Sequence, residues 1–191
     1  TEILSDHVGV GECSLLTPTL ARLTAAGKWS LLVAPPQAPQ APAWALAGID
    51  LTRLIVVSPD RASDALWAAE QALASGALGG VLCWARRVDA RQLKRLEVAA
   101  AGGDALAFLF RPAPVRTEAS PCALRLLLSA GAHGSLAVEL LKRRGAPCLR
   151  TLNLAVARPL KWRENDDSRS AVDRSPLAAS AARSQRRAAV A

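Results

Sequence analysis

An α/β fold is predicted, with a mostly parallel sheet, helices on both faces and a C-terminal β-hairpin, and three observations carry it. Short apolar runs alternate with amphipathic stretches; a glycine loop joins the first such run to the first stretch; and past Pro114 the apolar residues fall at every second position. Strand patterns alternating with helical patterns of about 10–15 residues mark right-handed βαβ units around a parallel sheet. A period of two on either side of a turn marks an antiparallel hairpin.

The first strand is read at residues 2–4. It is followed by the glycine loop and a helix over 14–26, whose Leu15, Leu16, Leu20 and Leu23 form the apolar stripe and which Gly27 stops. Residues 29–34 are a short apolar run bounded by Gly-Lys and Pro-Pro, as expected for a buried parallel strand. The stretch PPQAPQAP at 35–42 cannot be regular, because proline removes donors and fixes φ, and a short helix follows at 43–47. Then come a strand at 54–57, a helix at 63–75 with Ala65, Leu66, Ala69, Ala72 and Leu73 on one side, a buried strand at 79–84, a helix at 89–101 and a strand at 107–110. Leu124, Leu126 and Leu128, the turn AGAHG, and Leu136, Val138 and Leu140 make the hairpin at one edge, with a last strand within 149–156.

From about residue 160 the apolar periodicity stops, so the chain divides into a domain at 1–160 and a basic, disordered tail at 161–191. It opens at Thr1, without methionine and in mid-strand, so an N-terminal piece is expected to be missing. The net charge of +8 is carried almost wholly by arginine and permits nucleic acid or an acidic protein surface as partner. A GC-rich genome raises arginine with no functional demand, and that explanation stands level with the first. Cys13, Cys83, Cys122 and Cys148 form no C-x-x-C pair, and with only His7 and His133 beside them neither a zinc site nor a disulfide framework is expected. No run of eighteen apolar residues and no signal peptide occur, so a cytoplasmic location is expected, with no membrane contact.

The loop after the first strand is built like a phosphate-binding loop that lacks its lysine. Gly9-Val10-Gly11 runs into Glu12-Cys13-Ser14, so a carboxylate stands where a cation should meet the β- and γ-phosphates. Glu12 suits a helix N-terminus but repels phosphate. No cofactor, no metal and no enzymatic activity are therefore expected. Cys13 with His7 as base is a poor nucleophile, since nothing orients the imidazole and Glu12 raises the thiol pKa.

From Gly27 to Val88 the order of elements resembles the ATP-binding core of RecA recombinases, with Gly48-Ile49-Asp50-Leu51, Pro59-Asp60 and Ala74-Ser75-Gly76-Ala77 at matching places. The chemistry is absent, because the Walker A lysine is missing, the Walker B strand ends Cys83-Trp84-Ala85 and Pro35-Pro36-Gln37 stands where a catalytic glutamate belongs. Within that superfamily the chain resembles the branch joining SulA-type division inhibitors and ImuA proteins of damage-induced mutagenesis. The segments that carry it are GKWSL at 27–31, Trp44, LTR at 51–53, DALWAAEQAL at 64–73, FLFRP at 108–112 and VELLKRRG at 138–145. The fourth and the last look like the ImuA family in particular. That resemblance implies a non-catalytic adaptor in SOS translesion DNA synthesis, partnered with an ImuB-like protein, an error-prone polymerase and RecA, with DNA contact weak or indirect. A SulA-type division inhibitor binding FtsZ is the alternative, and a weak DNA-binding ATPase the second.

Lys28, Trp44 and Arg53 match positions that in the SulA branch contact FtsZ, and a tryptophan flanked by cations suits an interface centre. The plain alternative is a tryptophan covering the sheet beside solvated cations. Arg86, Arg87, Arg91, Lys94 and Arg95 cluster on and before one helix and are candidate contacts for phosphate or an acidic partner, or else a solvated face.

Overall fold

The computed structural model describes residues 1–156, and the tail expected at 161–191 lies outside them. The strands are β1 (Glu2–Ser5), β2 (Trp29–Val33), β3 (Leu54–Val57), β4 (Leu78–Trp84), β5 (Leu106–Pro112), β6 (Arg125–Ala130), β7 (Leu136–Lys142) and β8 (Leu152–Leu154). The α-helices are α1 (Glu12–Ala25), α2 (Ala41–Leu46), α3 (Ala62–Ala74) and α4 (Ala90–Ala101). All eight strands join one sheet in the order β3-β2-β4-β5-β1-β6-β7-β8. The first six run parallel, and β7 and β8 are added antiparallel.

The parallel strands are apolar on both sides because both sides are covered. Leu31, Val33, Val81, Cys83 and Leu109 pack with Ala65, Leu66, Ala69 and Leu73 of α3 and Leu93 of α4. Residues one place along, Leu32, Leu82 and Phe110, turn the other way and meet Leu16 and Leu20 of α1, Leu128 of β6 and Leu136 and Val138 of β7. The hairpin therefore completes the α1 side of the core. Close packing at the start of β4 requires glycine: a Cβ on Gly79 would stand 2.8 Å from the Cβ of Lys28 and 3.2 Å from Leu23 Cδ2 of α1.

Among the described residues no α-helix follows α4, and a buried charge cluster closes the sheet beyond it. Glu2 on β1 is wholly buried, and its Oε1 accepts from Arg111 NH1 at 2.8 Å while its Oε2 accepts from Arg125 Nε at 2.6 Å. Arg111 also donates to the Val88 carbonyl and to Glu118, and Arg125 to the carbonyls of Val115, Arg116 and Glu118. Two arginines thereby staple the segment between β5 and β6 over the sheet. The strand expected to stop before Arg111-Pro112 runs through both, because Leu4 and Ser5 of β1 pair with them.

Candidate partner-binding site

Sheet order decides which apolar strand stays uncovered. β3 is an outermost strand and pairs with β2 alone, so Ile55 and Val56 are 38% and 44% exposed although their residue types read as buried. Just before it, the short 3-10 turn Leu51–Arg53 is held by Asp50, whose Oδ1 accepts from the Thr52 amide at 2.9 Å and hydroxyl at 2.7 Å. Those bonds from Thr52, with Arg53 nearby, hold the Asp50 carboxyl below its ordinary range despite some desolvation.

The turn lays Arg53 on Trp29 of β2, with the guanidinium carbon 5.2 Å from the ring centroid, a contact of about 0.5–1 kcal/mol at an exposed site. Trp29 is 37% exposed, and Lys28 beside it is exposed. Neither Lys28 nor Arg53 has a carboxylate at ion-pair distance among the described residues. An indole, two cations and an apolar strand edge thus adjoin. Tryptophan and arginine are the residues that most often carry interface energy.

Trp44 is placed differently. It sits half-buried on α2 against the α1 side of the core, and its carbonyl accepts from the Ile49 amide at 3.1 Å. Its ring lines a hollow with Pro35, Pro36, Gly11 and Trp84. Trp44 therefore braces the segment leading to the Leu51–Arg53 turn. Sequence reasoning missed Trp29, Ile55 and Val56 as surface residues, since a strand's composition does not say whether a neighbour will pair with it; the only signal for Trp29 is that it leads its strand beside Lys28.

The glycine loop is closed by its own carboxylate. Gly9 (φ 88°) and Gly11 (φ 115°) take a left-handed backbone that turns their amides onto Glu12. Gly9 N–H donates to Oε1 at 2.9 Å and Gly11 N–H to Oε2 at 3.1 Å, and Glu12 is buried. The loop amides that a phosphate would need are taken by the Glu12 carboxylate, and α1 starts at Glu12, two residues earlier than expected. A crevice of about 460 Å³ opens beside the loop at the C-terminal ends of the strands, where α/β sheets hold ligands. Asp6, His7, Glu12, Trp84, Arg86 and Phe110 are among the residues lining it, with Trp84 stacked on Phe110 at 4.5 Å.

Burial, and then the charge of Glu12, push the Cys13 thiol up to about 12. Its neutral thiol has no place in nucleophilic chemistry near pH 7. Among the described residues no group of three His, Cys, Asp or Glu could hold a metal ion, and no helix is long and apolar enough to cross a membrane.

The arginine cluster separates into two groups. Arg86 and Arg87 lie exposed past β4, while on α4 Lys94 pairs with Glu97 at 2.7 Å and Arg95 with Glu70 of α3 at 2.6 Å. Arg91 is exposed on the first turn of α4, which Asp89 and Gln92 close with a capping box. Two of the three cations on α4 are thus spent on neighbours.

Residues 4–107, from β1 into β5, match the family model described as cell division inhibitor SulA. The curated cell division inhibitor SulA of Photorhabdus laumondii is 31% identical over 106 residues, 56% of this chain and 60% of that protein. The chain thus spans three fifths of that relative's length. The crystal structure of SulA from Pseudomonas aeruginosa shares 27% identity, with a TM-score of 0.49, over 58% of this chain and 95% of that one. The family match corrects the expected function, because it points to division inhibitors and away from an adaptor of translesion synthesis. The ImuB-like protein, the polymerase and RecA entered only with that expectation and go with it.

Proposed function

The chain belongs to the SulA family of cell division inhibitors, and from that premise we propose that it restrains division by binding FtsZ, the polymerising GTPase of the division ring, without catalysing a reaction itself. The observation that carries the reading is the surface where Arg53 lies on Trp29, with Lys28 beside them and the bare edge of β3 alongside. A subunit held there is withdrawn from the pool that can polymerise, so inhibition follows mass action and needs no turnover. Such an inhibitor acts in the cytoplasm, where the filament assembles.

The residues divide the work by their chemistry. Trp29 supplies a flat apolar area, Arg53 a planar donor held over it, and Lys28 a mobile charge for the rim, where charge raises the encounter rate more than the final affinity. Trp44 acts through α2, which it fixes to the core. A RecA-like origin of the scaffold belongs to the same reading: a loop that once met phosphate and is now closed by Glu12 leaves a frame that presents a surface.

The test is FtsZ assembly followed by light scattering with the full chain added. Wild-type protein suppresses assembly at near-stoichiometric ratios. Arg53→Ala and Trp29→Ala each weaken binding about tenfold or more, the loss expected for interface-centre residues. Assembly that is indifferent to a several-fold excess of wild-type protein refutes the proposal.

A further inference from the structure

The parallel ladder fixes which backbone groups of β3 are spent. Val33 is paired with Val57, and the Ala34 amide donates to the Val57 carbonyl at 2.7 Å, so Val57 faces β2. Alternation then turns Ile55 to β2 as well and directs the peptide groups of Leu54 and Val56 away from the sheet. The Leu54 amide is used by the Leu51 carbonyl of the preceding turn. The Leu54 carbonyl and both polar groups of Val56 are left pointing outward, with no further strand beside them among the described residues.

Most sheet edges are guarded by a lysine, a proline, a bulge or an inward charge. Leu54, Ile55, Val56 and Val57 contain none of these, and their pairing with β2 is regular. Four residues is too short to template indiscriminate aggregation and long enough to seat one extended segment of about four or five residues at ~3.3 Å each. We propose that β3 receives an extended segment of the partner as a ninth strand, paired through the backbone of Val56. This rests on the reading that Lys28, Trp29 and Arg53 form the partner surface.

The charges select the occupant. Lys28 and Arg53 stand at the start of β3 and Arg61 follows its end, all three exposed or half-exposed and without ion pairs among the described residues. The segment they fit has apolar residues at alternate positions and carboxylates at its ends. A second copy of this chain, itself at +8, would bring like charges to the same edge.

Val56→Pro tests the backbone term, because proline removes the outward N–H and suits an edge strand whose N–H faces solvent. With FtsZ as the probe and the full chain throughout, the expected results are an unshifted melting curve for Val56→Pro, binding weakened tenfold or more, and at least tenfold slower hydrogen exchange of the wild-type Val56 amide in the complex. The exchange measurement stands alone if the variant does not fold. An unchanged Val56 exchange rate on complex formation overturns strand pairing; if Arg53→Ala still weakens binding, the partner surface survives without it. If Arg53→Ala is also silent, the surface itself is wrong. Concentration-dependent protection of Val56 without FtsZ identifies a second copy as occupant and overturns the proposal equally.

Discussion

Replacing Glu2 by Gln changes one charge and almost no volume at the point where β1, β5 and β6 are clamped together. In the wild type the two carboxylate oxygens accept from Arg111 at 2.8 Å and Arg125 at 2.6 Å, and the arginine side chains are 2% and 7% exposed. Gln puts an NH₂ against one guanidinium, donor facing donor, and leaves both cations buried with only the half-exposed Glu118 to answer them. Breaking a buried pair from one side costs about 3–5 kcal/mol, a large share of the roughly 5–15 kcal/mol that holds a domain folded. At about 2–4 °C per kcal/mol for a domain of this size, the melting midpoint falls by roughly 6–20 °C.

The same variant carries a pH signature with a definite sign. Burial alone raises the Glu2 pKa, but the hydrogen bond from Arg111 and the charge and hydrogen bond of Arg125 outweigh it, so the folded value lies below the ordinary one. A depressed carboxylate contributes stability that is full above its unfolded pKa of about 4.3 and is lost as pH falls through the folded value. Wild type and Glu2→Gln should therefore differ most near neutrality and converge in acid. Circular dichroism melts of the two full chains between pH 7 and pH 3 make the comparison. A Glu2→Gln midpoint within about 2 °C of wild type at pH 7, or curves that stay parallel into acid, would refute the reasoning.

Two further changes test the loop and the thiols. Glu12→Ala strips the Gly9 and Gly11 amides of their acceptor, at about 1 kcal/mol for each part-buried hydrogen bond lost; the urea midpoint should fall with an unchanged m-value, and a shift worth less than about 0.5 kcal/mol would show the loop to be held otherwise. Cys13 and Cys83, both pushed to about 12 by burial, Cys13 also by Glu12, should stay silent to a thiol reagent at pH 8 in the folded protein and react on unfolding; reaction of either at the rate of free cysteine would count against the raised thiol pKa.

The element order was legible because it depends on near neighbours in the chain. Gly27 ends α1, Asp89 and Gln92 close the start of α4, and the switch from helical period to period two announces β6 and β7. The uncovered edge was not legible. Leu54–Val57 and Leu78–Trp84 are both short apolar runs, yet the first is an edge and the second lies between β2 and β5. That difference arises from the chain crossing back over β2 after α3, a long-range event that leaves no mark in a four-residue composition. Glu2 was equally silent: one carboxylate in an apolar strand looks solvent-facing until strands 109 and 123 residues away bring Arg111 and Arg125 to it.

Charge misled for a related reason. Counted along the chain, Arg86 to Arg95 is the richest basic stretch among the described residues, yet Lys94 and Arg95 are paired with Glu97 and Glu70. The sparser Lys28 and Arg53 have no ion pair among the described residues, and Arg53 lies on an exposed indole at the start of an edge strand. A solvated ion pair contributes at most about 1 kcal/mol and offers a partner little. A cation already held in place beside apolar surface loses less freedom when a partner arrives and has no ion pair to give up. Local charge density is therefore a poor guide to the partner surface in this arginine-rich chain, and the pairing of each cation in the folded state is the better one.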